Sequence, residues 1–413
     1  MKLRLRLFLL AALGIGVAVA GCREQLTAPG SCPATCPGGT PVLRDTVLDA
    51  LVGEDSTYAG YILRGATLAG LRVANGLIAA TDYGVVRFVG RQDSIFIRDT
   101  GRTYTIDSVA LEVTLLARDT TASGIRLALH RLPATTDSGV PFATIDAAVV
   151  PGTLIDSVTI ADSIHPSARS VHKYRFVFQG GTLPVVDISS ADSGVLAMAV
   201  AISGASPTGV RVGGIGSGVG VPIFRTYVTV NVPDTATAVK RQVIVRGPEF
   251  TTFVSNTTAP AADSTILAIG TPAGARALIR FPWPTYLRDS ALLARATLEL
   301  VPAQAIDGLP GDSAFVDIHG VRADFGAKSP ITGLVGTRGL IFGSLDTVRV
   351  DVISEVQVWQ AKRLPHPPML VVILSPEGTS FTEPRFYSTR ETVATRRPRL
   401  RITYQAPFDF ERP

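Results

Sequence analysis

From residue 41 onward the sequence alternates apolar and polar side chains over short runs, and almost nowhere follows a helical period. In Ser108 to Leu115, Val109, Leu111, Val113 and Leu115 fall on one side, with Ser108, Glu112 and Thr114 on the other. Ala294 to Leu300, Val348 to Val352 and Leu400 to Tyr404 repeat the pattern. Successive side chains on a strand point to opposite faces, so each run has one face to bury and one to hydrate. Val195 to Ile202 and Met369 to Leu374 are apolar throughout and suit central strands covered on both faces. Turn clusters such as Thr136-Asp137-Ser138-Gly139 and Ala191-Asp192-Ser193-Gly194 separate the runs. The chain is therefore expected to be all-β, built as sandwiches with a jelly-roll-like arrangement. A membrane barrel would carry aromatic girdles, and aromatics are only 7% of the residues.

The alternating region also repeats itself. Val86-Arg87-Phe88 matches Ile279-Arg280-Phe281, and Ser108 to Val113 matches Arg295 to Leu300. Gly194 to Val200 matches Pro368 to Leu374, and Arg225 to Val230 matches Arg399 to Tyr404. The order is kept in all four, which predicts two tandem sandwiches, 41–245 and 246–406, divided near Arg246-Gly247-Pro248, with a tail at 407–413.

The N-terminus reads differently. Lys2, Arg4 and Arg6 precede Leu7 to Ala20, an apolar stretch with only glycine interrupting it. That is the pattern of an export signal over 1–21, shorter than the roughly 20 apolar residues a bilayer-spanning helix needs. Val19-Ala20-Gly21-Cys22 resembles the bacterial lipobox, in which the cysteine is lipidated and becomes the mature N-terminus. The resemblance implies an extracytoplasmic protein whose membrane partner is reached through lipid on Cys22. Arg23, in place of the usual retention aspartate, favours the outer membrane or cell surface. Residues 22–40 are rich in Pro, Gly, Ser and Thr and read as a flexible spacer. Within them Cys32 and Cys36 form a close pair suited to a small disulfide loop in an oxidising compartment. Without Lys2, Arg4 and Arg6, 36 of the 39 basic residues remain against 34 acidic ones, a balance near +2 that does not point to a nucleic-acid partner.

Four further segments carry a family resemblance. Ala277 to Phe281 with Ala296 to Leu300, Val350-Asp351-Val352 through Trp359, Phe386 to Glu391, and Arg397 to Tyr404 follow one another in family order. Together, over about residues 250 to 405, they resemble the DNRLRE-type modules of bacterial and archaeal surface proteins, some of which are grouped with carbohydrate-binding modules. The resemblance implies a non-catalytic sandwich with a glycan-binding, structural or adhesive role. In these segments Val352, Val356 and Trp359 fall at helical spacing, so one short turn is expected to press Trp359 into the core, capped by Ser354.

Residues suited to catalysis are scarce. No Gly-x-Ser-x-Gly elbow exists, and Gly213 to Gly220 never satisfies a dinucleotide fingerprint and reads as a flexible hairpin loop. His130, His165, His172, His319 and His366 are scattered, with His130 and His319 at polar strand positions. Asp317 and His319 share a strand face, an arrangement that could seed a metal site or an acid–base pair but is read as an exposed pair on a solvated face. No catalytic residue, metal ligand or cofactor is therefore nominated, and no residue pattern supports a structural calcium. The candidate ligand contacts are Trp283 and Tyr286, aromatics in a proline-stiffened loop, and Arg390 and Arg397, in a basic stretch suited to an acidic polysaccharide. Envelope components and copies of the same chain are the other partners considered. The alternative is a polysaccharide lyase or hydrolase, or its accessory subunit, working across the cleft between the two units.

Overall fold

The computed structural model describes residues 43–61, 68–97, 99–167, 170–186, 194–233, 240–257, 265–270, 274–288, 291–361 and 366–405. Cys22, Cys32 and Cys36, with the export signal and spacer, lie outside the described residues. Strands dominate, all paired antiparallel, and Ile353–Gln360 is the longest helix among the described residues. The chain is all-β and builds two sandwiches.

The second sandwich packs a four-stranded sheet on a five-stranded one. The four-stranded sheet runs Leu43–Asp49, Arg399–Gln405, Leu292–Leu300, Val348–Asp351. The five-stranded sheet runs Ser56–Tyr58, Arg276–Arg280, Met369–Ser375, Phe315–Val321, Ile331–Gly339. Leu298, Val350, Leu400 and Ile402 from one sheet meet Ile279, Val316, Leu370 and Val372 from the other in a single buried cluster. The first sandwich repeats this layout. Arg241–Arg246, Ile223–Val230, Tyr104–Arg118 and His172–Gln179 form one layer. The other layer is Pro248–Ser255, Ala80–Phe88, Leu196–Ser203, Arg126–Leu132 and Leu154–Thr159. Here Gly70–Leu77 and Thr208–Gly213 join the layers into one curled sheet, which closes over Val86, Phe88, Leu111, Val113, Leu129 and Phe224. The all-apolar runs at 195–202 and 369–374 are inner strands in both sandwiches, as their composition requires.

The four matched segment pairs make the same strand pairings in each unit. Ala80–Phe88 with Leu196–Ser203 corresponds to Arg276–Arg280 with Met369–Ser375. Tyr104–Arg118 with Ile223–Val230 corresponds to Leu292–Leu300 with Arg399–Gln405.

The division at 246 does not follow the pairings. Leu43–Asp49 and Ser56–Tyr58 sit in the second sandwich, whereas Pro248–Ser255 sits in the first, on Ala80–Phe88. The two ribbons dock in the same way. Asp49 lies opposite Arg399 where Val245 lies opposite Arg225, and Ser56 lies opposite Leu278 where Thr252 lies opposite Val85. Each ribbon precedes one sandwich in sequence and completes the other. Sequence order alone cannot reveal this, because an edge strand satisfies its backbone equally well on either free edge. Arg246, at the expected linker, is the buried last residue of the strand Arg241–Arg246, paired with Phe224.

The sandwiches touch through buried groups. Arg72 makes two bonds from Nε and Nη2 to Asp82 Oδ2 (3.1 and 2.9 Å), donates Nη1 to Ser380 O at 2.9 Å, and lies over the Phe381 ring at 4.8 Å. Arg211 pairs with Asp312 at 2.8 Å, and Ala74, Ala117, Leu309 and Phe381 form an apolar cluster at the seam. Burial pushes the Asp312 carboxyl up, outweighing the lowering effect of Arg211.

Candidate functional site

The chemically richest cleft lies at one end of the second sandwich. Strand Arg276–Arg280 delivers Phe281-Pro282-Trp283-Pro284, and the two prolines restrict φ through the bend into the turn Thr285–Arg288. The helix Ile353–Gln360 supplies the facing wall. Its first amide, on Ile353, is capped by Asp351 Oδ1 at 2.9 Å and not by Ser354, which is exposed and makes no capping bond. The aspartate two residues earlier reaches the free N–H from outside the helix. Val352, Val356 and Trp359 form the buried face, as their spacing predicts.

Trp359 is 3% exposed and packs in the core against Phe281, at 6.4 Å between ring centroids. Trp283 lies edge-on to Trp359 at 5.6 Å and 81°, half-buried against the same core. Gln360 Nε2 donates to Leu287 O at 2.6 Å and Ala291 O at 2.8 Å, tying the Trp283 loop to the helix. The cleft encloses about 580 Å³ and is lined by Trp283, Trp359, Arg288, Asp324, Gln360 and His366.

Its polar groups are fixed by neighbours. Arg280 grips Asp324 through two bonds of 2.9 Å, and this hydrogen bonding holds the carboxyl below the usual carboxylate range. His366 Nδ1 lies 2.8 Å from Glu355 Oε1, a contact that fixes the orientation of the ring. The Glu355 side chain, 4% exposed, lies directly on Gly320: a methyl group there would sit 2.0 Å from Glu355 Cδ. The pair of His366 with Glu355 is not visible in the sequence, where His366 is one of five scattered histidines. Its partners come from a helix and from a strand distant in sequence, and no spacing rule links them.

The other candidates are dispersed. Tyr286, 45% exposed, meets the Tyr404 ring at 5.7 Å and a 41° tilt, shares a hydrogen bond with Thr46 Oγ1, and does not line the cleft. Trp283 and Tyr286 thus do not form one platform. Arg390 reaches the buried Asp55 at 3.3 Å and Gly53 O at 3.1 Å, and Arg397 donates to Glu391 O at 2.6 Å. Arg399, Arg401 and Arg349 surround Glu299, which is 3% exposed. Burial raises the Glu299 carboxyl, but these guanidiniums outweigh it and hold the group low. The arginine stretch is therefore divided among internal partners and does not present a common cationic face.

The histidines read as polar strand positions differ too. His130 is buried, with Nδ1 3.2 Å from Val150 O, while His319 Nδ1 lies 3.0 Å from Thr332 O. Gly213 to Gly220 is not a hairpin loop, because the strands on either side both pair with Tyr104–Arg118 and not with each other. The cleft expected between the units exists, at about 360 Å³, but its charged pair, Arg211 and Asp312, is joined within the seam. Among the described residues no three His, Cys, Asp or Glu side chains converge as a metal site.

No protein-family model and no curated protein matches the chain. Among solved structures, it is similar to the infectious bursal disease virus VP2 subviral particle (12% identity, 93% of this chain and 82% of that one, TM-score 0.16). It is also similar to the tandem CBM22-1-CBM22-2 domain of Paenibacillus barcinonensis Xyn10C (8% identity, 89% and 99%, TM-score 0.16). A third is the M60 catalytic domain with CBM51-1 and CBM51-2 of Clostridium perfringens ZmpB (6% identity, 84% and 39%, TM-score 0.13).

Proposed function

We propose that this protein is a lipid-anchored, extracytoplasmic module that holds glycan non-catalytically in the Trp283 cleft. The observation that carries this reading is the cleft itself. An indole half-embedded in the core forms one wall, and polar side chains held by their own neighbours surround it. A sugar ring presents an apolar face edged by hydroxyls, and such a cleft offers stacking area together with donors and acceptors that lose little freedom on binding. The DNRLRE resemblance and the lipobox at Cys22 agree with a surface role.

A glycan array with the chain from residue 40 onward tests the cleft. Trp283→Ala is expected to abolish retention of the bound glycan, while Tyr286→Ala, outside the cleft, leaves it intact. Equal retention by both variants removes the cleft from the proposal, and turnover of the glycan into new reducing ends or unsaturated products replaces it with the enzymatic alternative. For the anchor, Cys22→Ser is expected to release the protein from membranes. A wild-type protein without an acyl chain, or a variant that still fractionates with membranes, contradicts the lipoprotein reading.

A further inference from the structure

Three large arginine side chains are buried in the first sandwich, and they are satisfied in different ways. Arg118 spends Nε, Nη1 and Nη2 on the carbonyls of Asp119, Ala161 and Ala122. Arg72 has the carboxylate of Asp82. Arg246 is the exception. Only 4% exposed, with its guanidinium 4.2 Å from the Phe224 ring centroid, it donates Nη1 to Val89 O at 2.9 Å and Gly194 O at 2.7 Å. Its Nε and Nη2 are buried without a partner. Those two N–H groups form one edge of the guanidinium, the side-on fork that matches the paired oxygens of a carboxylate, sulfate or phosphate.

A second cation lies nearby, on the Gly194 residue whose carbonyl accepts from Arg246 Nη1. Arg91 packs against Gly194, with Cγ 2.6 Å and Nε 3.0 Å from where a Cβ would be, and Gly194 has φ of +65°. Arg91 Nη1 donates to Tyr104 Oη at 3.4 Å, and its Nε is also buried without a partner. Neither guanidinium forms an ion pair with a carboxylate of the described residues. Among the described residues no carboxylate supplies the counter-charge that a buried guanidinium such as Arg246 normally requires. The equivalent place in the second sandwich is taken by Ala50, so this feature belongs to the first unit alone.

We propose that the first sandwich binds a single oxyanion between the Nε–Nη2 edge of Arg246 and the side chain of Arg91. Arg91, only partly buried, is the side from which the anion enters. Burial, helped by the Arg91 charge, also brings the Arg246 guanidinium down to about 10, the direction an uncompensated cation takes. The anion is either a free inorganic ion or the acidic substituent of a glycan, and the site does not depend on the Trp283 cleft.

The test uses the full chain at constant ionic strength, replacing chloride stepwise by sulfate or by a uronic-acid oligosaccharide, with melting temperature and calorimetric heat as readouts. An oxyanion that binds only the native state raises the melting temperature with its concentration. Sulfate is expected to raise it by several degrees over chloride, and Arg91→Met is expected to remove that increment. Gly194→Ala, which displaces Arg91, is expected to weaken it, whereas Arg87→Met and Trp283→Ala keep it. A gain in both anions assigns the shared oxyanion chemistry to the site, and a gain much larger in the oligosaccharide, kept in Trp283→Ala and lost in Arg91→Met, makes glycan the source. Equal melting in chloride, sulfate and oligosaccharide, or an increment that persists in Arg91→Met, overturns the proposal. Arg246→Met also loses the Val89 and Gly194 bonds, so Arg91→Met is the deciding variant.

Discussion

Replacing Arg72 by alanine is expected to cost about 3–5 kcal/mol, the range for breaking a buried ion pair by removing one partner. Asp82 is fully buried, and its Oδ1 already lacks a partner. Without the guanidinium, its carboxylate would be left buried with no compensating charge. The loss also reaches across the seam, because Arg72 holds Ser380 O and lies over Phe381 of the second sandwich. Urea denaturation of Arg72→Ala against wild type measures the cost. The double variant Arg72→Met with Asp82→Leu is expected to recover most of it, since a matched apolar pair often replaces a buried ion pair without loss. A single variant within 0.5 kcal/mol of wild type would show that the pair does not hold the seam.

Trp359→Ala is expected to be comparably damaging. Truncating a buried Trp removes transfer free energy and leaves a cavity, together about 3–5 kcal/mol. The void would open beneath Phe281 and Trp283, which both pack on the Trp359 ring. A melting temperature lower by roughly 10 °C follows if each kcal/mol shifts it by about 2–4 °C. Tyr286→Ala is the comparison, with an expected change within about 0.5 kcal/mol because the ring is an exposed surface neighbour of Tyr404. Similar losses in both variants would refute the separation of core from surface on this loop.

Much of the architecture was legible because strand alternation is local. The inner strands, the matched pairs and the burial of Trp359 all follow from periodicity within a few residues of each side chain. The ownership of the edge ribbons was not, since Leu43–Asp49 shows the same alternation whichever sandwich it completes. The site was half legible. Trp283 stood out as an aromatic between prolines, but its orientation depends on Trp359 and Gln360 in a helix more than seventy residues later. The arginine stretch misled because their carboxylate partners, Asp55 and Glu299, lie far away in sequence. Arg246 looked like a linker residue because Gly247 and Pro248 follow it, and only the strand pairings show why it is buried.

The reciprocal docking of the two ribbons gives the chain the mechanics of a clasp. A single cut between residues 257 and 265 would separate two fragments in covalent terms only. The N-terminal fragment would still own a strand seated between solvent and Arg399–Gln405, and another seated on Arg276–Arg280. To come apart, the fragments would have to unzip both strands as well as the Arg72 and Arg211 seam. A nicked molecule should therefore migrate as one particle until it is denatured. Force applied through residues before Leu43 would be felt first at Gln405, the opposite end of the sequence, because those two residues are paired.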